Sequence, residues 1–280
     1  MQVVPKARGR IERFREVIQD PLNLFIERVP EAGTVDAEGF VTLHNGIRVM
    51  QTGYYGAFGE ILALNRGVHE PLEEFLFQEV LRRIAVPDLM IELGAYWAHY
   101  SMWAKLRHPG MRCIMVEPDA ANIEVGRGNF ARNAMAGEFV LDGVGPGGFE
   151  LDPFCAARGI ERIAILHADV QGAETHLLGA RADCLRRHIA DYIFISTHGQ
   201  KTHDHVLALL RDAGYAVKAA ADVLHETTSY DGFVFAVAPH LAPTWPELRV
   251  LGRLAICNSS VAELLDYLQR VRASFPPRSA

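Results

Sequence analysis

Residues 90–101, MIELGAYWAHYS, decide the fold. They join a short apolar run at 89–93 to a helix-length segment at 98–107 through a turn that contains Gly94. A glycine between a strand and a helix lets the backbone approach a ligand closely. The turn lacks the full GxGxxG pattern, so the dinucleotide fingerprint is absent. Taken alone, the stretch predicts a strand, a turn and a helix, and Gly94 fits a ligand-binding turn and a merely tight turn equally well.

Outward from this stretch, apolar runs of strand length alternate with helix-length segments over residues 88–238. The runs lie at 89–93, 113–116, 139–141, 163–166, 192–195, 215–217 and 233–237, and the main helical segments at 98–107, 120–134, 173–179 and 203–213. This alternation predicts an α/β fold with a doubly wound, mostly parallel sheet and helices on both faces. The last two runs have no helix between them, which predicts an antiparallel pair at one edge.

The sequence divides into three zones. Residues 1–87 are predicted to form an N-terminal extension with a hairpin, because the runs 40–43 and 47–50 flank His44-Asn45-Gly46 and Asn-Gly favours a tight hairpin turn. A lead-in helix is predicted over 71–84 from the helical spacing of its apolar residues. Residues 88–238 form the α/β domain, and residues 239–280 a C-terminal helical extension.

Composition narrows the functional class. The 280 residues carry a formal net charge of −6, whereas a nucleic-acid-binding protein usually shows a basic excess. No apolar window approaches the roughly 18 residues that suggest a membrane span. The four cysteines are scattered, with no CxxC pair, which favours free thiols in a reducing cytoplasm. We therefore expect a cytoplasmic protein with a small-molecule partner and without a nucleic-acid or membrane partner; a homodimer is left open.

An acidic residue follows the second strand, and its spacing in sequence from the glycine turn points to a function. Ligands of open α/β sheets bind outside the carboxyl ends of the strands. Glu117 follows Gly94 by 23 residues, a spacing that suits hydrogen bonds to the two hydroxyls of a ribose. A surface glutamate that caps the following helix is the alternative. Together, the two residues favour a nucleoside site.

Further polar residues follow the later strands. Asp169 and Glu174 flank a glycine at a strand-to-helix turn, where they either face the ligand or cap a helix whose dipole favours acids. His198 ends the next strand and suits a general base or a metal ligand. His203 and His205 are expected to be solvated, and the spacing of the three histidines matches no metal-ligand motif.

Two segments carry a family resemblance. Residues 91–101 resemble the first motif of FkbM-type methyltransferases, and residues 165–179, ILHADVQGAETHLLG, resemble the family's most specific signature. Glu117-Pro118 with Asn122 matches the ribose-binding turn, and Leu151-Asp152 the pair before the signature strand. The likeness extends from about residue 70 to 237. The departures are Tyr96 and Ala98 in place of Asn and Gly, and His167 and Gln171 in place of Lys and Glu, which indicate a divergent branch.

The resemblance implies a class I methyltransferase fold, in which a seven-stranded sheet ends in an antiparallel strand. It implies S-adenosylmethionine as the cofactor and methylation of a hydroxyl on a sugar or natural product. The cofactor-binding residues that follow from it are Glu70, Glu92, Gly94, Ala95, Tyr100, Ser101, Glu117, Pro118, Asn122, Asp142, Gly143 and Asp169.

Methyl transfer requires in-line positioning and removal of the acceptor's proton. We expect Asp169 and His198 to be catalytic, one as the base and the other orienting it or sharing a divalent metal ion. The acceptor pocket is predicted to include Tyr54, Tyr55, His69, Trp97, His99, Gln171 and Glu174. The alternatives are N-methylation of a small amine or amino sugar, cofactor binding without turnover, and a nicotinamide-linked oxidoreductase.

Overall fold

The structure, a computed structural model, describes residues 9–53, 56–179 and 183–276. Its centre is a seven-stranded sheet in the order β5-β4-β3-β6-β7-β9-β8. The strands are β3 (Leu89–Leu93), β4 (Arg112–Glu117), β5 (Glu138–Leu141), β6 (Ile163–Ala168), β7 (Ala190–Thr197), β8 (Ala216–Ala221) and β9 (Gly232–Val237). The strands from β5 to β7 are parallel, and β9 runs antiparallel to both β7 and β8. The predicted mostly parallel sheet with an antiparallel pair at one edge is confirmed. Strand β9 lies between β7 and β8, so β8 is the edge strand.

Helices cover both faces of this sheet. They are α4 (His99–Arg107), α5 (Ala120–Arg132), α6 (Leu151–Arg158), α7 (Glu174–Leu177), α8 (Asp183–Arg186) and α9 (Gln200–Asp212). Because successive strand residues point to opposite faces, Met90 and Phe194 belong to one core, and Ile91 and Ile193 to the core on the other side. The predicted helix over 173–179 is shorter than expected, and the one over 203–213 begins earlier.

The N-terminal extension packs into the same core as the sheet. It contains α1 (Arg10–Gln19), the hairpin strands β1 (Phe40–Thr42) and β2 (Arg48–Met50), α2 (Glu60–Leu64) and α3 (Pro71–Arg83). The hairpin is antiparallel as predicted, and Gly46 has a φ of 89° in its turn. Val41, Val49 and Phe75 share one apolar cluster with Met90. The extension is thereby held against one face of the sheet.

The C-terminal extension forms α10 (Arg253–Asn258) and α11 (Val261–Ser274). Ser260 caps α11 through a reciprocal capping box with Glu263. Phe275 then packs edge-on against Phe75 of α3, with ring centroids 5.2 Å apart. None of the helices in the described part of the chain is long and apolar enough to cross a membrane.

Candidate active site

Two adjoining cavities open at the carboxyl ends of the parallel strands. The first, the β4 cavity, has a volume of about 700 Å³ and is lined by Glu117, Pro118, Asn122, Asp142 and Gly143, among others. The second, the β7 cavity, has a volume of about 660 Å³ and is lined by Glu70, Glu92, Ala95, Ser196 and Asp231, among others. Gly94, Tyr96, Asp169 and Gln171 line both cavities. A ligand that extends from one cavity into the other must pass these four residues.

Gly94 sits where three strand ends meet. Its amide donates to the carbonyl of Val116, and the amide of Asp169 donates to the carbonyl of Leu93. Gly94 has a φ of 70°, and a Cβ there would lie 1.7 Å from the backbone oxygen of Asp169. The glycine is therefore required for the β3 and β6 turns to approach each other, and this approach makes the floor of both cavities.

In the turn after Gly94, two residues other than glycine adopt the left-handed backbone conformation. Tyr96 and Ala98, the two departures from the family pattern, have φ values of 45° and 61°. This conformation costs a residue with a Cβ about 1 kcal/mol. Tyr96 donates from its hydroxyl to the carbonyl of Gly53, 2.8 Å away in the N-terminal extension. Its side chain thus bridges the turn after Gly94 and the extension.

Glu117 is buried and held by three donors. Its Oε2 accepts from the amide of Tyr96 at 3.0 Å, and its Oε1 accepts from the amide of Asp119 and from Nδ2 of Asn122, both at 3.1 Å. A carboxylate has about four acceptor sites, so one site on Oε2 remains for a ribose hydroxyl. Farther along this wall, Asp142 accepts from the amide of Gly143. These residues fit a nucleoside.

Two further acids line the β7 cavity. Tyr100 donates to Oε2 of Glu70 at 2.8 Å, and the amide of Ser101 donates to Oε2 of Glu92 at 3.1 Å. Burial, followed by the charge of nearby Glu73, raises the pKa of Glu70 to about 8. Ser101 lines neither cavity, so the structure places it behind Glu92. Both carboxyl groups are positioned to meet a cationic group such as the amino end of the cofactor.

His198 lies at the end of β7 among three carboxylates. Its Nδ1 is 2.6 Å from Oε1 of Glu174, and its Nε2 is 3.2 Å from Oδ1 of Asp169 and 3.5 Å from Oδ1 of Asp231. Burial lowers the pKa of His198, but the hydrogen bonds to Asp169 and Glu174 and the charge of Asp231 outweigh it and raise the pKa to about 10. His198 is therefore an imidazolium at neutral pH, which suits it to orient carboxylates rather than to take a proton.

Asp231 was not identified from the sequence. It precedes β9, and the pairing of Thr197 with Gly232 places it next to His198. Burial raises the pKa of Asp231 to about 6, against the opposing charge of His198. Ligand atoms of Asp169, His198 and Asp231 all lie within 4.8 Å of one another, a spacing that could also hold a divalent cation. The sequence predicted the antiparallel pair of strands, but only the register of that pair shows that Asp231 lies next to His198.

His167, where the family pattern has lysine, also faces an acid that sequence reasoning missed. Its Nε2 is 2.5 Å from Oε1 of Glu73, and Oε2 of Glu73 accepts from the hydroxyl of Ser196. Burial raises the pKa of Glu73 and lowers the pKa of His167. The pair therefore shares a proton without net charge. The signal for Glu73 was weak, since an acid in the first turn of a helix is common.

The predicted acceptor residues divide into several groups. Gln171 donates to Oδ1 of Asp169 at 2.9 Å, whereas Glu174 is fully buried behind His198. His69, Trp97 and His99 line the β7 cavity but are almost wholly buried. Tyr54 and Tyr55 lie outside the described residues.

The two remaining histidines of this region differ in burial. His205 is exposed as expected. The expectation of a solvated His203 is wrong: it is buried, and its Nδ1 lies 3.0 Å from Oγ1 of Thr197. The helix α9 begins three residues before His203, which turns that side chain towards the sheet.

The N-terminal extension forms the far wall of the β7 cavity. The sequence alone did not predict which of its residues do so. Arg13 donates to the carbonyl of Tyr230 at 2.5 Å, and its guanidinium lies 3.9 Å from the centre of the Tyr230 ring. Phe58 packs edge-on against both Phe14 and Tyr230. Helix α1 thus closes the cavity with an aromatic and aliphatic wall.

Residues 148–217, which include Asp169, Glu174 and His198, match the family model of the methyltransferase FkbM domain. No curated protein is similar enough in sequence to count as a match. Solved structures to which this chain is similar include precorrin-6y C5,15-methyltransferase from Geobacter metallireducens, which is 17% identical, with 59% of this chain and 89% of that chain covered and a TM-score of 0.41.

Two further solved structures are similar to the same degree. Ribosomal protein L11 methylase from Lactobacillus delbrueckii subsp. bulgaricus is 12% identical, with 60% of this chain and 79% of that chain covered and a TM-score of 0.41. TrmK from M. capricolum, in complex with S-adenosyl-homocysteine, is 13% identical, with 71% and 83% covered and a TM-score of 0.40. The matched segment, a quarter of the chain, spans the signature strand and its helix, and it supports an S-adenosylmethionine-dependent methyltransferase.

Proposed function

We propose that the enzyme methylates a hydroxyl group on an uncharged sugar or small natural product. The observation that carries this proposal is the position of Asp169, which lines both cavities and lies 3.2 Å from His198. A carboxylate at the junction can accept a proton from an acceptor in one cavity while the methyl donor extends from the other.

The cofactor would be held along the β4 cavity and the junction. Glu117, Asn122 and Asp142 would hold the nucleoside, and Glu70 and Glu92 would face the amino group. When bound, S-adenosylmethionine supplies an electrophilic methyl group. Methyl transfer then depends mainly on alignment of the acceptor and on removal of its proton. The close approach of Gly94 to Asp169 brings both requirements to one place.

We assign the base to Asp169, with Asp231 beside it. His198 holds both carboxylates from one nitrogen while Glu174 holds its other nitrogen. As the acceptor oxygen takes the methyl group, whose bond to the cofactor sulfur would break with its electron pair left on sulfur, the hydroxyl proton passes to the carboxylate. The imidazolium offsets part of the negative charge of the three acids before that transfer. A positioned base of this kind contributes about 10²- to 10⁴-fold in rate.

The residues that line the β7 cavity restrict the chemical class of acceptor that it can bind. Phe14, Phe58 and Tyr230 offer an apolar wall, and the opposite wall carries carboxyl groups. An anionic acceptor would be repelled by Asp169 and Asp231. An uncharged hydroxyl compound with an apolar portion fits this cavity. The acidic wall also favours a small amine, so N-methylation is the second candidate.

Transfer of a radiolabelled methyl group to a panel of hydroxylated and amine acceptors tests the proposal. We expect His198→Gln and Asp169→Asn to lower kcat by about 10²- to 10⁴-fold, with His198→Gln leaving the affinity for S-adenosylhomocysteine within about threefold. The exposed His205 supplies the matched control, His205→Ala, which should keep full activity. Near-normal turnover of both variants would refute the assigned roles. Transfer only to amines would favour N-methylation.

We also propose that residues 88–238 form the methyltransferase domain and that the enzyme works in the cytoplasm. All four cysteines are free, and Cys113, Cys155 and Cys184 are buried. Free thiols are typical of a reducing compartment. Titration of the denatured protein, purified without reductant, should find four thiols. Two thiols fewer would indicate a disulfide and contradict the compartment.

A further inference from the structure

Three buried histidines surround one buried carboxylate beside the β7 cavity. Glu74 is fully buried in the first turn of α3, and His44, His69 and His99 are each no more than 5% exposed. They come from the β1–β2 turn, the segment before α3 and the first turn of α4. Residues this far apart in sequence meet only in the folded chain. None of them has a role in the proton transfer assigned above.

The carboxylate of Glu74 is fixed by backbone donors. Its Oε1 accepts from the amides of His69 and Glu70, at 2.8 and 3.1 Å, and also lies 2.7 Å from Nδ1 of His69. Its Oε2 has no hydrogen-bond partner among the described residues and lies 3.1 Å from Nε2 of His44. One oxygen is thus used for positioning, and the other points at the histidines.

His44 is oriented in the same way. Its Nδ1 lies 3.3 Å from the backbone oxygen of Glu27, so Nδ1 carries the proton. In the neutral ring, Nε2 then presents a lone pair towards Oε2 of Glu74. Two acceptors at 3.1 Å require a proton or a cation between them. Metal-ligating histidines usually have this arrangement, in which the second ring nitrogen donates to a carbonyl.

His99 supplies the independent observation. It is 1% exposed, and neither of its ring nitrogens has a hydrogen-bond partner within the described part of the chain. A buried imidazole whose ring nitrogens have no partner offers a nitrogen that a metal ion can use. Ligand atoms of His44, Glu74 and His99 all lie within 4.8 Å of one another.

We propose that His44, Glu74 and His99 bind a transition-metal ion, with Zn²⁺ the best match. Two imidazoles with one carboxylate form a ligand set that suits zinc, at bonds of about 2.0–2.2 Å. In a tetrahedral site the ligand atoms are about 3.4 Å apart, so an ion draws the cluster inwards. Its effect is structural, because it ties the hairpin turn to α3 and α4.

A measurement on the unaltered protein tests this most directly. The protein is loaded with one equivalent of Zn²⁺ or Co²⁺, and X-ray absorption counts the imidazoles around the metal. We expect two. The other group of metal-competent residues, Asp169, His198 and Asp231, contains a single imidazole. A count of one, or the absence of stoichiometric binding at micromolar metal, would overturn the proposal.

Variants locate the site. His44→Gln and His99→Gln should each weaken Zn²⁺ binding by about 100-fold or more, and should lose the rise in Tm that Zn²⁺ gives the unaltered protein. His198→Gln is the matched control and should keep both the affinity and the rise. Circular dichroism verifies that each variant is folded. If one variant does not fold, the X-ray absorption measurement on the unaltered protein still tests the proposal. Loss of binding in His198→Gln with retention in His44→Gln would place the metal elsewhere. The outcome is independent of methyl transfer.

Discussion

His198 and Glu174 form a contact of 2.6 Å between Nδ1 and Oε1, and Glu174 is fully buried. The contact fixes the ring so that Nε2 faces Asp169 and Asp231. Because Nδ1 donates to one carboxylate and Nε2 faces two others, both nitrogens carry protons. The orientation of Asp169 and Asp231 around the ring and the charge of the ring therefore have the same origin.

The first prediction concerns stability against pH. The pKa of His198 rises from 6.5 to about 10 on folding, so the folded state binds this proton more tightly than the unfolded chain does. The stabilisation is fully present below pH 6.5 and is lost as the pH rises towards 10. Between these values, the free energy of unfolding should fall by about 3–5 kcal/mol more in the unaltered protein than in His198→Gln. Urea unfolding at a series of pH values measures this.

Two controls accompany that series. Glu174→Gln removes one of the three charges around His198 and should reduce the pH dependence without abolishing it. His205→Ala changes an exposed histidine on α9 and should leave the pH dependence as it is. Equal pH dependence in the unaltered protein and in His198→Gln would contradict the assignment of an imidazolium.

The second prediction concerns Gly94. Alanine there would combine a φ of 70° with a Cβ 1.7 Å from the backbone of Asp169. We expect Gly94→Ala to destabilise the protein by about 3 kcal/mol or more and to weaken binding of S-adenosylhomocysteine, both measurable by calorimetry. Gly128 is exposed in α5 with open space around it. Gly128→Ala should instead stabilise by about 0.5–1 kcal/mol, and a similar loss in both variants would show that the approach of Gly94 to Asp169 is unimportant.

The third prediction concerns the ribose contact. Glu117→Gln replaces one oxygen by a donor, which faces the amide of Tyr96 or the side chain of Asn122. Hydrogen bonds to a charged acceptor contribute about 1.5–3 kcal/mol, so the Kd for S-adenosylhomocysteine should rise about 10- to 100-fold. Isothermal titration calorimetry measures it. The exposed Glu124 on the neighbouring helix provides the control, Glu124→Gln. An unchanged Kd in Glu117→Gln would exclude a ribose contact at Glu117.

The fourth prediction concerns the cover formed by α1. Arg13 holds α1 to Tyr230 through a hydrogen bond and a ring contact, and a cation–π contact contributes about 0.5–2 kcal/mol. Arg13→Ala should therefore speed amide hydrogen exchange in α1 and raise the KM for the acceptor by up to about tenfold. Arg10 on the same helix is partly exposed and makes only a 3.9 Å ion pair with Glu60. Arg10→Ala should change neither quantity; equal effects would show that α1 does not cover the acceptor.

Local patterns were sufficient for most of the fold. The strand, turn and helix around Gly94 follow from a buried apolar run and a glycine, and the antiparallel pair follows from two strand-like runs without an intervening helix. These features depend on neighbours in sequence. The helix after Asp169 is shorter than its apolar pattern suggests, because its end depends on packing rather than on periodicity.

The site was predictable only in part. Asp169 and His198 could be singled out because parallel strands end at one edge of the sheet, and each residue follows such a strand. Asp231 could not, since it faces His198 only through the register of the antiparallel pair. Glu73 lies 94 residues from the histidine that it contacts. No local pattern carries that information.

The sequence by itself determined the class of sheet, the glycine turn and the acid that follows the second strand, because each arises from the order of residues along a short stretch. The tertiary structure alone decided the charge of His198, which depends on three carboxylates from different parts of the chain. It also decided that His44 and His99 meet at Glu74. Electrostatic environment and metal-ligand geometry act through space, so they exist only once distant segments are packed together.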